Sequence, residues 1–393
     1  MKTIHNTLPD PSGRYIFHQP VDQITFFDIE TTGLSAKTAS IYLIGAMHYN
    51  CPTGSWELTQ WFADDYQSEP EILEAFLSYL KDFSYLYHFN GCTFDIPFIT
   101  AKCKKHGILP SQEISAMLEN VISSRSSEPA PANIDLLKEI RPLKKRLGLE
   151  KANQSYLERW VGLNREDIYN GGQLIKVYSE YMQQKILHKE KGTELKKLLL
   201  LHNHDDIAGM IHVCSMLAYQ DFFSPAEPAP VTVTHLTSNN LTLELPVRIP
   251  RKITLEHSFS MTDAAGPQPE NAILTLDKTA ATLSLPLYRG SLKYFFPDHK
   301  DYYYLPQEDT AIHKSVAQFV DTSCRQKATA ANCYTKKEGV FLPSLSTKEP
   351  ALKEDCFYYA HKTKPAFYLL PDTESGTMDS FLTDYVFREI CNF

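Results

Sequence analysis

Apolar and polar positions alternate along this chain in two distinct rhythms, and the changes between them mark out its elements. Ile24-Thr25-Phe26-Phe27-Asp28 is a short apolar run closed by an acid, the pattern of a buried β-strand over Ile24–Asp28. Ile41–Tyr49 and Ser55–Phe62 follow as two more strands. The turn formers in Asn50-Cys51-Pro52-Thr53-Gly54 join them as a hairpin. Over Glu69–Phe83 the apolar residues Ile72, Leu73, Phe76, Leu77 and Leu80 fall at helical spacing. Tyr85–Phe89 returns to strand character, and a helix from about Thr93 to His106 follows Asn90-Gly91. Residues 123–133 form a polar, proline-containing stretch that predicts a loop. Beyond it, Ile134–Gly148, Gln173–His188 and Thr193–Leu217 predict helices, the last carrying Leu195, Leu198, Leu199, Met210 and Val213.

A proline-rich stretch, Ser224-Pro-Ala-Glu-Pro-Ala-Pro230, separates this half from a chain of different texture. Leu241–Leu245, Ile273–Asp277 and Thr282–Leu287 alternate with period two, which predicts antiparallel sheet. The expected organisation is an N-terminal extension over 1–20, an α/β domain over 21–222, a linker over 223–232 and a β-rich, α+β domain over 233–393. A length of 393 residues suits two domains. The net charge of −8 argues against a protein that coats nucleic acid by bulk charge, yet leaves room for a local basic groove. Eight cysteines without a CxxC pair read as free thiols in a reducing compartment. Met1–Pro20 holds no apolar signal core, and no run is long enough to cross a bilayer, so the expected location is cytoplasmic, with no membrane partner.

Three segments carry chemistry. In Asp28-Ile-Glu30-Thr31-Thr-Gly33-Leu34, the two acids are two apart on a strand and leave it on one face. Like charges held that close favour a cation between them, although acids at a strand end also cap turns. Asp95 in Phe89-Asn90-Gly91-Cys-Thr-Phe94-Asp95 lies in the first turn of a predicted helix, where capping is an equally good explanation. His202 and Asp206 are separated by one helical turn and share a face with Leu195, Leu199, Gly209 and Val213. An imidazole and a carboxylate on a partly apolar stripe need partners, which a metal ion would supply.

Together these segments, FDIETTGL, FNGxxFDxPFI and HNxxD, resemble the three motifs of the DEDD 3′–5′ exonuclease superfamily, and most closely the bacterial YprB-like predicted exonucleases. Asp135-Leu-Leu-Lys138, Leu147–Leu149, Trp160-Val-Gly162 and Tyr178 extend the likeness, which covers roughly residues 20–220. The resemblance implies an RNase H-like α/β domain, a mixed sheet flanked by helices, and agrees with the predicted order of three antiparallel strands, helix, strand, helix. It further implies that Asp28, Glu30, Asp95 and Asp206 bind two divalent cations, Mg²⁺ or Mn²⁺, and that His202 acts as general base. Thr31, Gly33, Leu34 and Asn90 match positions that grip a terminal nucleotide.

One departure stands out. The histidine subtype of the superfamily spaces its histidine and aspartate by four residues, whereas three separate His202 from Asp206, and Asp205 is also close enough to serve. The implied activity is hydrolysis of single-stranded DNA or RNA from its 3′ end. A structure-selective RNase H-like endonuclease and a non-catalytic nucleic-acid-binding scaffold are the alternatives. Lys138, Arg141, Lys144, Lys145 and Arg146 form a basic helix surface, either a solvated face or a substrate groove, with Lys144 and Lys145 as substrate contacts. Lys185, Lys189, Lys191, Lys196 and Lys197 form a second such group. The C-terminal half shows no catalytic motif. Its Tyr302–Tyr304, Tyr358-Tyr359 and Lys327–Lys337 stretches would stack bases if exposed or simply fill a core, and the domain as a whole is expected to grip substrate or recruit a protein partner.

Overall fold

The computed structural model describes residues 1–11, 14–126, 131–165, 169, 171–263, 266–346, 350, 356–372 and 376–393. It divides into two compact units, Met1–Tyr219 and Gln220–Phe393. In the first, β1 (Lys2–Pro9), β2 (Ile24–Thr31), β3 (Ile41–Asn50), β4 (Ser55–Phe62), β5 (Tyr85–His88) and β6 (Ala132–Asp135) form one mixed sheet in the order β1-β4-β3-β2-β5-β6. The pairs β1–β4, β4–β3 and β3–β2 are antiparallel, while β2–β5 and β5–β6 are parallel. Its helices include α1 (Glu69–Tyr79), α2 (Asp95–His106), α3 (Gln112–Glu119), α4 (Leu136–Ile140), α5 (Gln154–Val161), α6 (Gly171–Leu187) and α7 (Lys189–Cys214), and α8 (Leu217–Phe223) runs across the boundary into the second unit. Strands β2, β3 and β4 arise where the apolar runs predict them.

Three expectations need correction. Residues 1–20 do not all stand outside the sheet, because Lys2–Pro9 pairs along its whole length with β4. It is an edge strand with most side chains in solvent, so its sequence reads as polar. The stretch expected as loop and then helix contains β6, with residues 127–130 outside the described residues. Four residues are too few for a period to show, and two of them, Asn133 and Asp135, are polar yet buried. Asn133 tolerates burial because its Nδ2 donates to the carbonyls of Met117, Leu118 and Asn120. The helix expected over Ile134–Gly148 is limited to α4 and a following 3₁₀ turn, Arg141–Leu143.

The core of this unit lies between the sheet and helices α1, α2, α6 and α7, where Phe27 stacks on Phe76 and Tyr42 on Tyr178. Helix α7 crosses β2 and β3 at a point where only glycine fits. A Cβ on Gly45 would lie 2.1 Å from Asn203 Oδ1 and 2.3 Å from Ile207 Cδ1. The close approach lets the fully buried Asn203 accept from Gln60 Nε2 of β4 at 2.9 Å while reaching β2 with its own amide.

The second unit is β-rich. One sheet has the order β7-β8-β11-β10-β9, from β7 (Thr232–Leu236), β8 (Asn240–Pro246), β9 (Ile253–Asp263), β10 (Gly266–Asp277) and β11 (Ala280–Pro286). A second, β12-β16-β18-β17, comprises β12 (Tyr288–Phe295), β16 (Tyr334–Pro343), β17 (Cys356–Phe357) and β18 (Phe367–Leu369). A third, β14-β13-β15, joins β13 (Tyr302–Leu305), β14 (Thr310–His313) and β15 (Gln326–Lys327). The same unit carries helices α9 (Lys314–Ala317) and α10 (Met378–Glu389). Its tyrosines are engaged internally: Tyr302 stacks on Phe296, Tyr304 donates to Asp309, and Tyr303 lies under Arg325.

Gly45→Ala should destabilise the protein by about 1–3 kcal/mol, the usual range for overpacking a tight contact. Urea unfolding checks this, and an unchanged midpoint would contradict the close crossing of α7 over β3.

Candidate metal centre

Because β2, β5 and β6 run parallel, their carboxyl ends emerge at the same end of the sheet, with His88 level with Asp135. Loops at such ends are free to carry chemistry on a rigid support. Asp28 and Glu30 leave β2 here, and the pairing with β3 shifts register between Glu30 and Thr31. A bulge of this kind re-aims the side chains beside it. After β5 the chain turns through Asn90, whose φ of 62° is left-handed. Asn90 N donates to Asp135 Oδ1 at 2.9 Å and Gly91 N to His88 Nδ1 at 3.0 Å. That turn delivers Asp95 as the first residue of α2, buried beside β2, where Ile29 N–H donates to its Oδ1 at 3.4 Å. Helix α7 completes the site from the other side with His202 and Asp206.

Glu30, His202 and Asp206 place one ligand atom each within 4.8 Å of one another. His202 Nε2 lies 3.2 Å from Asp206 Oδ2 and 3.5 Å from Glu30 Oε1. Asp28 and Asp95 fall outside that tight group but feel the same charge. Burial, and then Asp206, Asp95 and Glu30, raise the Asp28 carboxyl well above the ordinary range, with the Asn203 amide opposing them. Asp95 is pushed up to about 7, first by burial; hydrogen bonds from its own and Ile29's backbone oppose the shift, and Asp135 and Asp206 add to it. The Tyr42 hydroxyl, buried against Glu30, is likewise raised well above its usual value. Four carboxylates and an imidazole line a cleft of two adjoining hollows that share Asp28, Ile29 and Phe94, a donor set of hard oxygens plus one nitrogen that suits Mg²⁺ or Mn²⁺. Asp205, the alternative ligand by sequence, pairs with His204 at 3.0 Å.

Several supporting residues give little sign of themselves in the sequence. Asn203 Nδ2 donates to Asp28 Oδ2 at 3.1 Å and to the Asp28 carbonyl at 3.3 Å, which orients the carboxylate. A buried amide on an apolar stripe is a hint of such a role, but its partners lie far away in the chain. Asp135 is buried, caps α4 through Leu137 N at 3.1 Å and adds a fifth negative charge near Asp95. Arg165 bonds Asp206 Oδ1 with one arm and the buried Glu158 with the others. It sits in a polar stretch that carries no periodic signal.

The proposed nucleotide contacts divide. Thr31 and Leu34 line the cleft beside His202, with Leu34 82% exposed at its rim; Asn90 lines the part beside Asp95. Thr31 Oγ1 is committed to the Gly33 carbonyl at 2.8 Å. Among the described residues, Gly33, Lys144 and Lys145 do not line the cleft, and Arg141 is the member of the basic cluster that does.

A carboxyl raised from 3.8 to about 7 in the folded protein holds a proton that the unfolded chain has already released. Its contribution to stability is therefore full below the unfolded value and lost as pH rises through the folded one. In chelator, Asp95→Asn should melt several degrees above wild type at alkaline pH, with the gain vanishing near pH 4. Calorimetric scans across pH check this, and a gain independent of pH would contradict the assignment.

Residues 25–218 match a family model described as RNase_H superfamily. No curated protein sequence matches the chain. Among solved structures, the family B DNA polymerase from the hyperthermophilic archaeon Pyrobaculum calidifontis aligns at 14% identity with a TM-score of 0.33, over 69% of this chain and 33% of that one. The chain thus spans about a third of the polymerase it matches. Sheet order, flanking helices and the family match agree: the N-terminal unit has an RNase H-like fold, and a β-rich unit follows it.

Proposed function

We propose that this chain is a metal-dependent nuclease, a 3′–5′ exonuclease that hydrolyses phosphodiester bonds of single-stranded DNA or RNA with two divalent cations. The observation that carries the reading is the convergence of Asp28, Glu30, Asp95, Asp206 and His202 on one cleft. Asp28 takes charge from all three other acids, and three ligand atoms already lie within 4.8 Å of one another. Carboxylates this close and this buried are unfavourable alone and favourable around cations.

In this reading Asp28, Glu30, Asp95 and Asp206 hold the ions. Bound Mg²⁺ or Mn²⁺ would lower the pKa of the attacking water and offset the charge on the phosphate. The chain's own residues do the rest. His202 Nε2 accepts the proton of that water, and its contacts at 3.2 Å to Asp206 and 3.5 Å to Glu30 stabilise the imidazolium that results. Asn203 keeps Asp28 turned towards the cleft. Leu34, exposed at the rim, packs against the terminal base, and Asn90 meets the sugar-phosphate. Arg141 takes the next phosphate along the cleft, with Lys144 and Lys145 contributing charge from outside its walls.

Asp28→Ala and Asp206→Ala should each reduce Mn²⁺-dependent cleavage of an end-labelled single strand to background, with circular dichroism unchanged. Full activity in either variant would refute the metal assignment. Blocking the 3′ end should stall the enzyme, and undiminished internal cutting would make it an endonuclease.

A further inference from the structure

Asp206 does not present both of its oxygens to the cleft. Oδ2 faces His202 at 3.2 Å, on the side shared with Glu30, whereas Oδ1 is taken by the Arg165 guanidinium. Arg165 is itself held. Its Nη2 donates to Glu158 Oε1 at 2.6 Å and its Nε to Glu158 Oε2, the bidentate geometry that fixes a guanidinium in one plane. Gln154 Nε2 donates to Glu158 Oε1 at 2.8 Å and to the Asp206 backbone carbonyl at 2.5 Å.

Glu158 is fully buried on α5, and the space it occupies is made by Gly209 on α7, just past Asp206. A Cβ there would lie 2.0 Å from Glu158 Oε1. Burial works against the Arg165 charge, but Glu158 and Asp206 outweigh it and keep the guanidinium protonated. An unaccompanied arginine beside a cation site would repel the cation. Glu158 cancels that charge, so the pair adds geometry at Asp206 without reducing the negative charge of the cleft.

We propose that Arg165, locked by Glu158, is a positioning residue that restricts Asp206 to single-oxygen coordination through Oδ2. The inference rests on the carboxylate cluster being a cation site. By occupying Oδ1, the clamp fixes the Asp206 rotamer and aims the remaining oxygen at the space shared by Glu30 and His202. Partners that orient a ligand in this way typically change metal affinity by about 10- to 100-fold when removed.

Removing Arg165 alone would leave a buried carboxylate unpaired and endanger the fold. The informative variant is therefore the double replacement E158Q/R165M, which removes one charge of each sign and keeps the net charge. Mn²⁺ binding to the full-length chain is measured by calorimetric titration, alongside the chelated unfolding midpoint and the kcat and KM for a single-stranded oligonucleotide. The double variant should bind Mn²⁺ about 10- to 100-fold more weakly, with kcat reduced and KM within about twofold of wild type. Its chelated midpoint should match wild type, which a purely structural role would not allow.

Unchanged or tighter Mn²⁺ binding would overturn the proposal, the second outcome making Arg165 a competitor for the ion. Should the double variant fail to fold, R165K keeps the charge and loses the fork, and is expected to weaken Mn²⁺ binding as well; wild-type affinity in R165K would overturn the clamp. Asp28→Ala, which lies outside the clamp, separates the two readings. Loss of Mn²⁺ binding in D28A with none in E158Q/R165M removes the clamp alone. Unchanged binding in D28A as well removes the cation site and the clamp with it.

Discussion

Mutual repulsion among buried and half-buried carboxylates is the constraint that the N-terminal unit is built around. Asp28, Glu30, Asp95 and Asp206 come from the end of one strand, the start of one helix and the middle of another, and the fold drives them towards one point. Burial and neighbouring charge raise the carboxyls of Asp28 and Asp95, which is the energetic signature of that compression. The surrounding contacts orient these acids one by one. Asn203 donates to Asp28, the Ile29 amide to Asp95 and Arg165 to Asp206, while His202 stands between Glu30 and Asp206.

Those contacts in turn set requirements on the scaffold. Asn203 reaches Asp28 only because α7 lies on β3 at Gly45, where there is no side chain to hold the helix away. Glu158 reaches Arg165 because Gly209 leaves it room on the same helix. Two glycines, one on a strand and one on a helix, therefore bring α7 and α5 to the distances at which these acids can be managed. The parallel run of β2, β5 and β6 supplies the other half, since it alone gathers Asp28, the Asn90 turn and Asp135 at one end of the sheet.

How much of this the sequence discloses depends on the length of the signal and the distance between partners. Strands β2, β3 and β4, and helix α7, carry long apolar patterns and are legible directly. The edge strand β1 is mostly solvent-facing, and β6 has four residues with two buried polar ones, so neither announces itself. At the site, acids two apart on a strand and a histidine one turn from an aspartate are local patterns. Asn203, Asp135, Glu158 and Arg165 take their meaning from partners across the fold, and a basic run does not say which of its members turns inwards, here Arg141 among the described residues.

The central claim is that the four carboxylates share divalent cations. Its most direct test is anomalous diffraction from crystals grown with Mn²⁺, collected at the manganese edge. The account predicts anomalous peaks in the cleft, coordinated by oxygens of Asp28, Glu30, Asp95 and Asp206. Crystals with an empty cleft at saturating Mn²⁺, or with manganese bound only elsewhere on the chain, would contradict it.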